Sequence, residues 1–133
     1  MSGNFEAVKT YLQDMDILIV DEDPEEELVV VENEEEGIKN LIIDCEDPLL
    51  IIEQLIMKIK PDCEREFFKW LLKINRELVH GAFVLDDAGE MLLFRDTLQL
   101  ENLDYNELDA SVKALSLAMS EYGPELLQYA ANC

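Results

Sequence analysis

His80 is the only histidine of the chain, and Asp86 and Asp87 follow six residues later in the stretch INRELVHGAFVLDDAGEMLLFR, which runs from Ile74 to Arg95. An imidazole and two carboxylates can move protons where a cleft pushes their pKa values apart. The neighbouring residues favour a different role. His80-Gly81 has the composition of a helix end, because glycine readily takes the left-handed terminating conformation and the negative end of the helix dipole favours a histidine. The apolar segments AFVL and EMLLFR then flank DDAG, in which Gly89 can supply the positive φ of a tight hairpin. Asp86 and Asp87 are expected to be turn residues facing water, and no catalytic residue is assigned.

The acidic stretch that begins at Asp21 has the residue types for metal chemistry. Asp21, Asp23, Glu25, Glu27 and Glu32 fall at positions 1, 3, 5, 7 and 12 of an imagined EF-hand loop, but Glu26 stands where the sharp turn needs glycine. The flanks read as strands instead of helices. There is no second histidine, no GxSxG, no cysteine–histidine signature and no glycine-rich phosphate loop. Solvated acidic loops are the expected state, with no metal and no cofactor.

The composition sets wider limits. A chain of 133 residues, 49% of them hydrophobic, suits a single domain over residues 1–133 with one packed core. Its 31 acidic and 10 basic residues give a net charge of -21. Such a charge repels nucleic-acid phosphates and anionic membranes, so neither is an expected partner, and it makes a relieving basic or apolar protein surface plausible. Cys45, Cys63 and Cys133 form no CxxC pair and follow no secretory leader, which reads as reduced thiols in a cytoplasm. The longest apolar run, residues 49–57, is interrupted by Glu53 and Gln54 and is far below the roughly 20 residues of a membrane span.

Phe5, Val8, Tyr11 and Leu12 predict a first helix over residues 4–13, with Asn4 as its cap. β-branched runs divided by Pro24, Gly37 and Pro48 then predict an antiparallel meander of three or four strands. Runs such as Leu28 to Val31 are apolar on both sides, so strand faces cannot be assigned by alternation and both faces of the sheet are expected to be partly covered. Asp62 can cap a second helix over residues 63–79. On it Phe67, Phe68, Leu71, Leu72, Ile74, Leu78 and Val79 cover an arc of roughly 160°, while Arg65, Lys69, Lys73 and Arg76 form a basic stripe opposite. A hairpin follows. Asp104 and Glu107 make an aspartate capping box for the last helix, Leu103 and Leu108 a hydrophobic staple, and Gly123-Pro124 is expected to break or kink that helix before it resumes.

Asn75 lies near the middle of the apolar arc. A buried amide left without hydrogen bonds costs about 1 to 3 kcal/mol, so it is read as a structural tether that holds the start of the hairpin. The breadth of the arc leaves surface for a second neighbour, and Phe67, Trp70, Leu71 and Ile74 are the expected dimer or partner contacts.

The segment FFKWLLKINRELVHGAFVLDDAGEMLLFRDTLQLENLDYNELDASVKALSLAMSEYG resembles the YbjN family, in the helix carrying LLKIN, the GAFVLDDAG hairpin, the arginine after it and the LQLENLD approach to the last helix. Residues 67–127 carry the resemblance, and the first half matches in element order. That family is similar in turn to the CesT/Tir class of type III secretion chaperones. The resemblance implies an α+β domain with an antiparallel sheet, in the order α-β-β-β-α-β-β-α, that pairs as a homodimer. It also implies a small, acidic, cytoplasmic, non-enzymatic protein holding an extended segment of a client protein in apolar grooves or at sheet edges. The competing reading is a small sensory or regulatory domain that binds a metabolite or metal through the acidic loops.

Overall fold

The computed structural model describes residues 3–132. Helix α1 spans Gly3–Asp14 and buries Phe5, Val8 and Leu12, three residues at the spacing of one helical face. Four strands follow: β1 (Leu18–Asp23), β2 (Leu28–Asn33), β3 (Ile38–Glu46) and β4 (Leu49–Lys58). The meander therefore has four strands, the upper limit of the expectation and one more than the three-strand order. Single 3-10 turns at Glu34–Glu36 and Pro61–Cys63 mark the β2–β3 turn and the entry to α2 (Glu64–Asn75). β5 (Ala82–Leu85), β6 (Met91–Gln99) and α3 (Tyr105–Asn132) complete the chain.

The six strands form one antiparallel sheet in the order β1-β2-β3-β4-β6-β5. β6, not β5, lies beside β4, in a ladder that runs from Leu49 opposite Gln99 to Lys58 opposite Met91. Helix α2 spans the interval between them, so β5 ends up at the edge. The other edge, β1, carries a register shift between Ile19 and Asp21 and ends in Asp21, Glu22 and Asp23.

The core lies on one face of the sheet. Val31, Ile43, Leu50, Ile52, Leu92 and Phe94 point into it and are almost fully buried, together with the apolar stripes of all three helices. Burying each such side chain contributes about 1.5–3 kcal/mol relative to leaving it in water. The opposite face has no layer over it: Ile42 remains 40% exposed and Leu55 54%. The doubly apolar runs thus reflect an open greasy face, contrary to the expectation that both faces are covered.

Two helix boundaries differ from expectation. α2 stops at Asn75 instead of Val79, because Asn75 turns its side chain to the hairpin: Nδ2 donates to the Phe83 carbonyl at 3.0 Å, and the Phe83 N–H donates to Oδ1 at 2.8 Å. Leu78 still packs on the core, whereas Val79 is 88% exposed. Gly81, at φ +76°, completes the turn, and a Cβ there would come within 2.5 Å of the Phe94 ring, so glycine is required by space as well as by angle. α3, by contrast, runs unbroken through Gly123-Pro124. The proline forfeits one backbone hydrogen bond, but Tyr122, Leu126 and Tyr129 on either side are anchored in the core or against Trp70. The start of α3 forms the expected box, with Glu107 N–H on Asp104 Oδ1 at 2.8 Å and Asp104 N–H on Glu107 Oε1 at 3.3 Å.

Cys45 is a buried free thiol, and burial pushes its pKa up to about 11, which keeps it protonated and unreactive. Cys63 is disulfide-bonded, so the expectation of three reduced thiols does not hold there. Cys133 falls outside the described residues.

Replacing Asn75 by alanine strips the Phe83 N–H and C=O of their partners and should cost about 1–3 kcal/mol. A urea midpoint unchanged from the parent would show that the amide does not hold the hairpin.

Candidate protein-binding surface

Strand register decides which side chains share the open face. Val30 on β2 stands opposite Ile42 on β3, Ile42 opposite Glu53 on β4, and Glu53 opposite Arg95 on β6. A neighbouring row sets Leu28 opposite Asp44 and Asp44 opposite Ile51. A third sets Leu55 opposite Leu93, which faces Val84 on β5. Apolar side chains therefore form a patch across five strands, with Glu53 and Arg95 as an opposite-charge cross-strand pair within it. Patches of this kind mark contact sites more often than chance exposure does.

Asp44 is the chemically distinctive group on this face. One of its carboxylate oxygens is buried without a hydrogen-bond partner among the described residues. Burial first, then the neighbouring Glu46 carboxyl and the charge of Glu26, raise its pKa from 3.8 to about 6. Both causes act in the same direction, since desolvation and like charge each disfavour the anion.

Gln54 lies on the core side of β4, opposite Phe94. It is 3% exposed, its Nε2 donates to the Gly37 carbonyl at 3.1 Å and its Oε1 accepts from the Lys39 N–H at 2.9 Å. These bonds satisfy the backbone where the β2–β3 register shifts between Val31 and Asn33. Beside it, open clefts of about 440 Å³ and 720 Å³ meet at Glu34, Gly37 and Met119.

Asp86 serves the turn. Its Oδ1 accepts from the N–H groups of Glu90 at 2.9 Å and Met91 at 3.1 Å, and its backbone carbonyl accepts from Gly89 at 3.0 Å. Those backbone donors, Met91 first, hold its pKa below the usual carboxylate value. His80 lies exposed in the turn before β5. The imagined EF-hand is a β-hairpin: Asp23 Oδ1 caps the turn by accepting from Glu25 and Glu26 N–H at 3.2 and 3.3 Å. Among the described residues no group of three or more histidine, cysteine or acidic side chains is arranged to hold a metal ion.

Phe67, Leu71 and Ile74 are only 2–5% exposed and pack inside the chain's own core, where they leave almost no surface for a partner. Trp70 is half-buried, 6.1 Å from the Phe67 ring and 5.2 Å from that of Tyr129. The exposed apolar side chain of α2 is Leu72, at 71%. Sequence reasoning missed Ile42, Leu55 and their neighbours because consecutive apolar residues flank each of them, so alternation does not assign a face. That two-sidedness was itself the available signal.

A three-helix, six-stranded α+β domain with its helices on one side of the sheet has the fold of the type III secretion chaperones. The CesT_Tir_1 family model matches residues 1–132, and the chain belongs to that family. Among solved structures it is similar to YbjN of E. coli, with a TM-score of 0.70 at 15% identity over 92% of each chain. It is also similar to a chain of the HopA1-SchA chaperone-effector complex, with a TM-score of 0.63 at 12% identity over 92% of this chain and 97% of that one. At such identities these two likenesses speak for fold. No curated protein matches the chain. No described helix is long and apolar enough to cross a membrane.

Asp44→Asn should stabilise the fold at neutral pH. The folded pKa lies above the unfolded one, so folding favours the protonated acid, and stability declines as pH rises from about 4 through 6. Removing the charge should recover on the order of 1 kcal/mol at pH 7.5, after allowing for solvent screening of this partly exposed group. Thermal melts of parent and variant should converge near pH 3.5; a gain that persists there would assign the effect to something other than ionisation.

Proposed function

We propose that this chain is a non-enzymatic, chaperone-like protein-binding module that holds an extended segment of a client protein and works as a homodimer. The observation that carries this reading is the uncovered apolar face running through Val30, Ile42, Ile51, Leu55 and Leu93. Family membership supports it, as does the likeness to a chain from a chaperone-effector complex. An extended peptide has side chains on both sides and can set one row of them on such a surface. Backbone addition at the sheet edges is less favoured, because β5 has four residues and β1 is bulged and acidic.

The homodimer part of the reading draws on α2. With Phe67, Leu71 and Ile74 inside the core, the surface it has to offer is Leu72, the outer edge of Trp70 and the nearby Val79. A stable contact needs about 800 Å² from each protomer, and the net charge of -21 opposes it at low salt. A cytoplasmic site of action belongs to the same proposal by family resemblance.

The test is capture of the client from native cytosol with the full chain. One protein should be retained in near-stoichiometric amount, and the double variant Ile42→Asp, Leu55→Asp should lose at least tenfold in affinity, given two apolar contacts worth about 1–2 kcal/mol each. Retention undiminished in a variant of normal melting temperature would move the client elsewhere. Sedimentation at tens of micromolar decides the dimer separately, and a monomer there removes it.

A further inference from the structure

We propose that the trough between the β2–β3 turn and α3 takes a basic, apolar-spaced stretch of the client, so that the client segment is cationic. The inference rests on the protein-binding reading above and specifies the chemistry of what is bound. The trough joins the two clefts that meet at Glu34, Gly37 and Met119. At one end it reaches Leu55 on the open sheet face, and at the other it passes Leu117, which is 66% exposed. Its wall is the 3-10 turn Glu34–Glu36, three consecutive carboxylates pointing out from one short turn.

The electrostatics select the occupant. Glu36 accepts a hydrogen bond from the Ser116 hydroxyl at 2.8 Å, while Glu34 and Glu35 have no ion pair among the described residues. Two lysines share the lining: Lys113, held by Asp109 at 2.8 Å, and Lys39 at the Leu55 end, so the carboxylates left without an ion pair are Glu34 and Glu35, beside Leu117 and Met119. A second copy of the chain would bring another -21 charge against this wall, and a nucleic acid would bring phosphates. A peptide whose lysines or arginines meet the glutamates while its aliphatic side chains cover Leu117, Met119 and Leu55 satisfies both halves of the lining. Gly37 gives the trough its depth. At φ +76° it sits 3.0 Å, measured from an added Cβ, from the Met119 side chain, so a larger residue there would fill the floor.

The experiment uses fluorescence anisotropy on the full chain with two labelled twelve-residue probes, one alternating lysine with leucine and one alternating glutamate with leucine. The lysine probe should bind and the glutamate probe should not. The triple variant Glu34→Gln, Glu35→Gln, Glu36→Gln should weaken the lysine probe roughly tenfold. A charge-matched control, Glu25→Gln, Asp87→Asn, Glu101→Gln, changes the net charge equally at exposed positions outside the trough and should leave affinity within about twofold. Leu117→Ser should weaken binding without altering its salt dependence. Equal losses in the two triple variants would mean that only overall charge is sensed, and would overturn the proposal. So would a changed sedimentation coefficient in the trough variant alone, which would make the wall a contact between copies. If the captured client survives the trough variant but is lost from Ile42→Asp alone, which lies outside the trough lining, the trough falls and the protein-binding reading stands.

Discussion

The long β4–β6 ladder is the constraint on which the rest of the molecule depends. It welds a local meander to a hairpin that arrives only after a helix, and it commits α2 to the crossing between them. Once β6 is in place, the Asn75 amide can reach Phe83, Gly81 can lie against the Phe94 ring, and α3 can lay its apolar stripe beside α2. Helices on the same side of the sheet follow from these short connections, and the open face follows from having no fourth helix to cover it. Function, as proposed, is therefore a by-product of chain economy: a two-layer domain of this length leaves half of its sheet unclothed.

Electrostatics shapes how that bare half can be used. Ion pairs among the described residues join Lys9 with Glu6 and Glu22 and Lys113 with Asp109, so most of the acidic excess is left to solvent and to whatever docks. Arg65, Lys69 and Lys73 on α2 and Arg76 just past its end are exposed. A partner carrying both signs of charge has both to meet, which bears on how it is steered to the surface.

Much of the architecture was legible in the sequence, for reasons that differ from element to element. The hairpin turn and the α3 cap are local: Asp86, Gly89 and the Asp104–Glu107 pair act within a few residues, so their types alone announce them, whereas Asn4 lies within α1 and α2 starts after Cys63 without the expected Asp62 cap. The tether at Asn75 was legible because a polar residue amid an apolar arc must find partners. What stayed hidden depends on contacts distant in sequence. Nothing near Gly123-Pro124 reveals that aromatic packing on Trp70 will carry the helix through it, and nothing in LLII reveals which residues face outward before β6 fixes the register. The helical arc misled for the same reason: breadth was read as surplus surface for a partner, whereas Phe67, Leu71 and Ile74 serve the sheet and α3.

An unclothed greasy sheet invites polymerisation, and the two rims of this one bear on that hazard. On one side the outermost strand is kinked by its bulge and tipped with Asp21, Glu22 and Asp23; on the other it is barely long enough to template a neighbour. Molecules meeting rim to rim encounter mutual repulsion or too few free amides, so fibre growth finds no foothold. The bare side can thus stay uncovered while neither rim offers a neighbouring molecule a long, regular edge to extend.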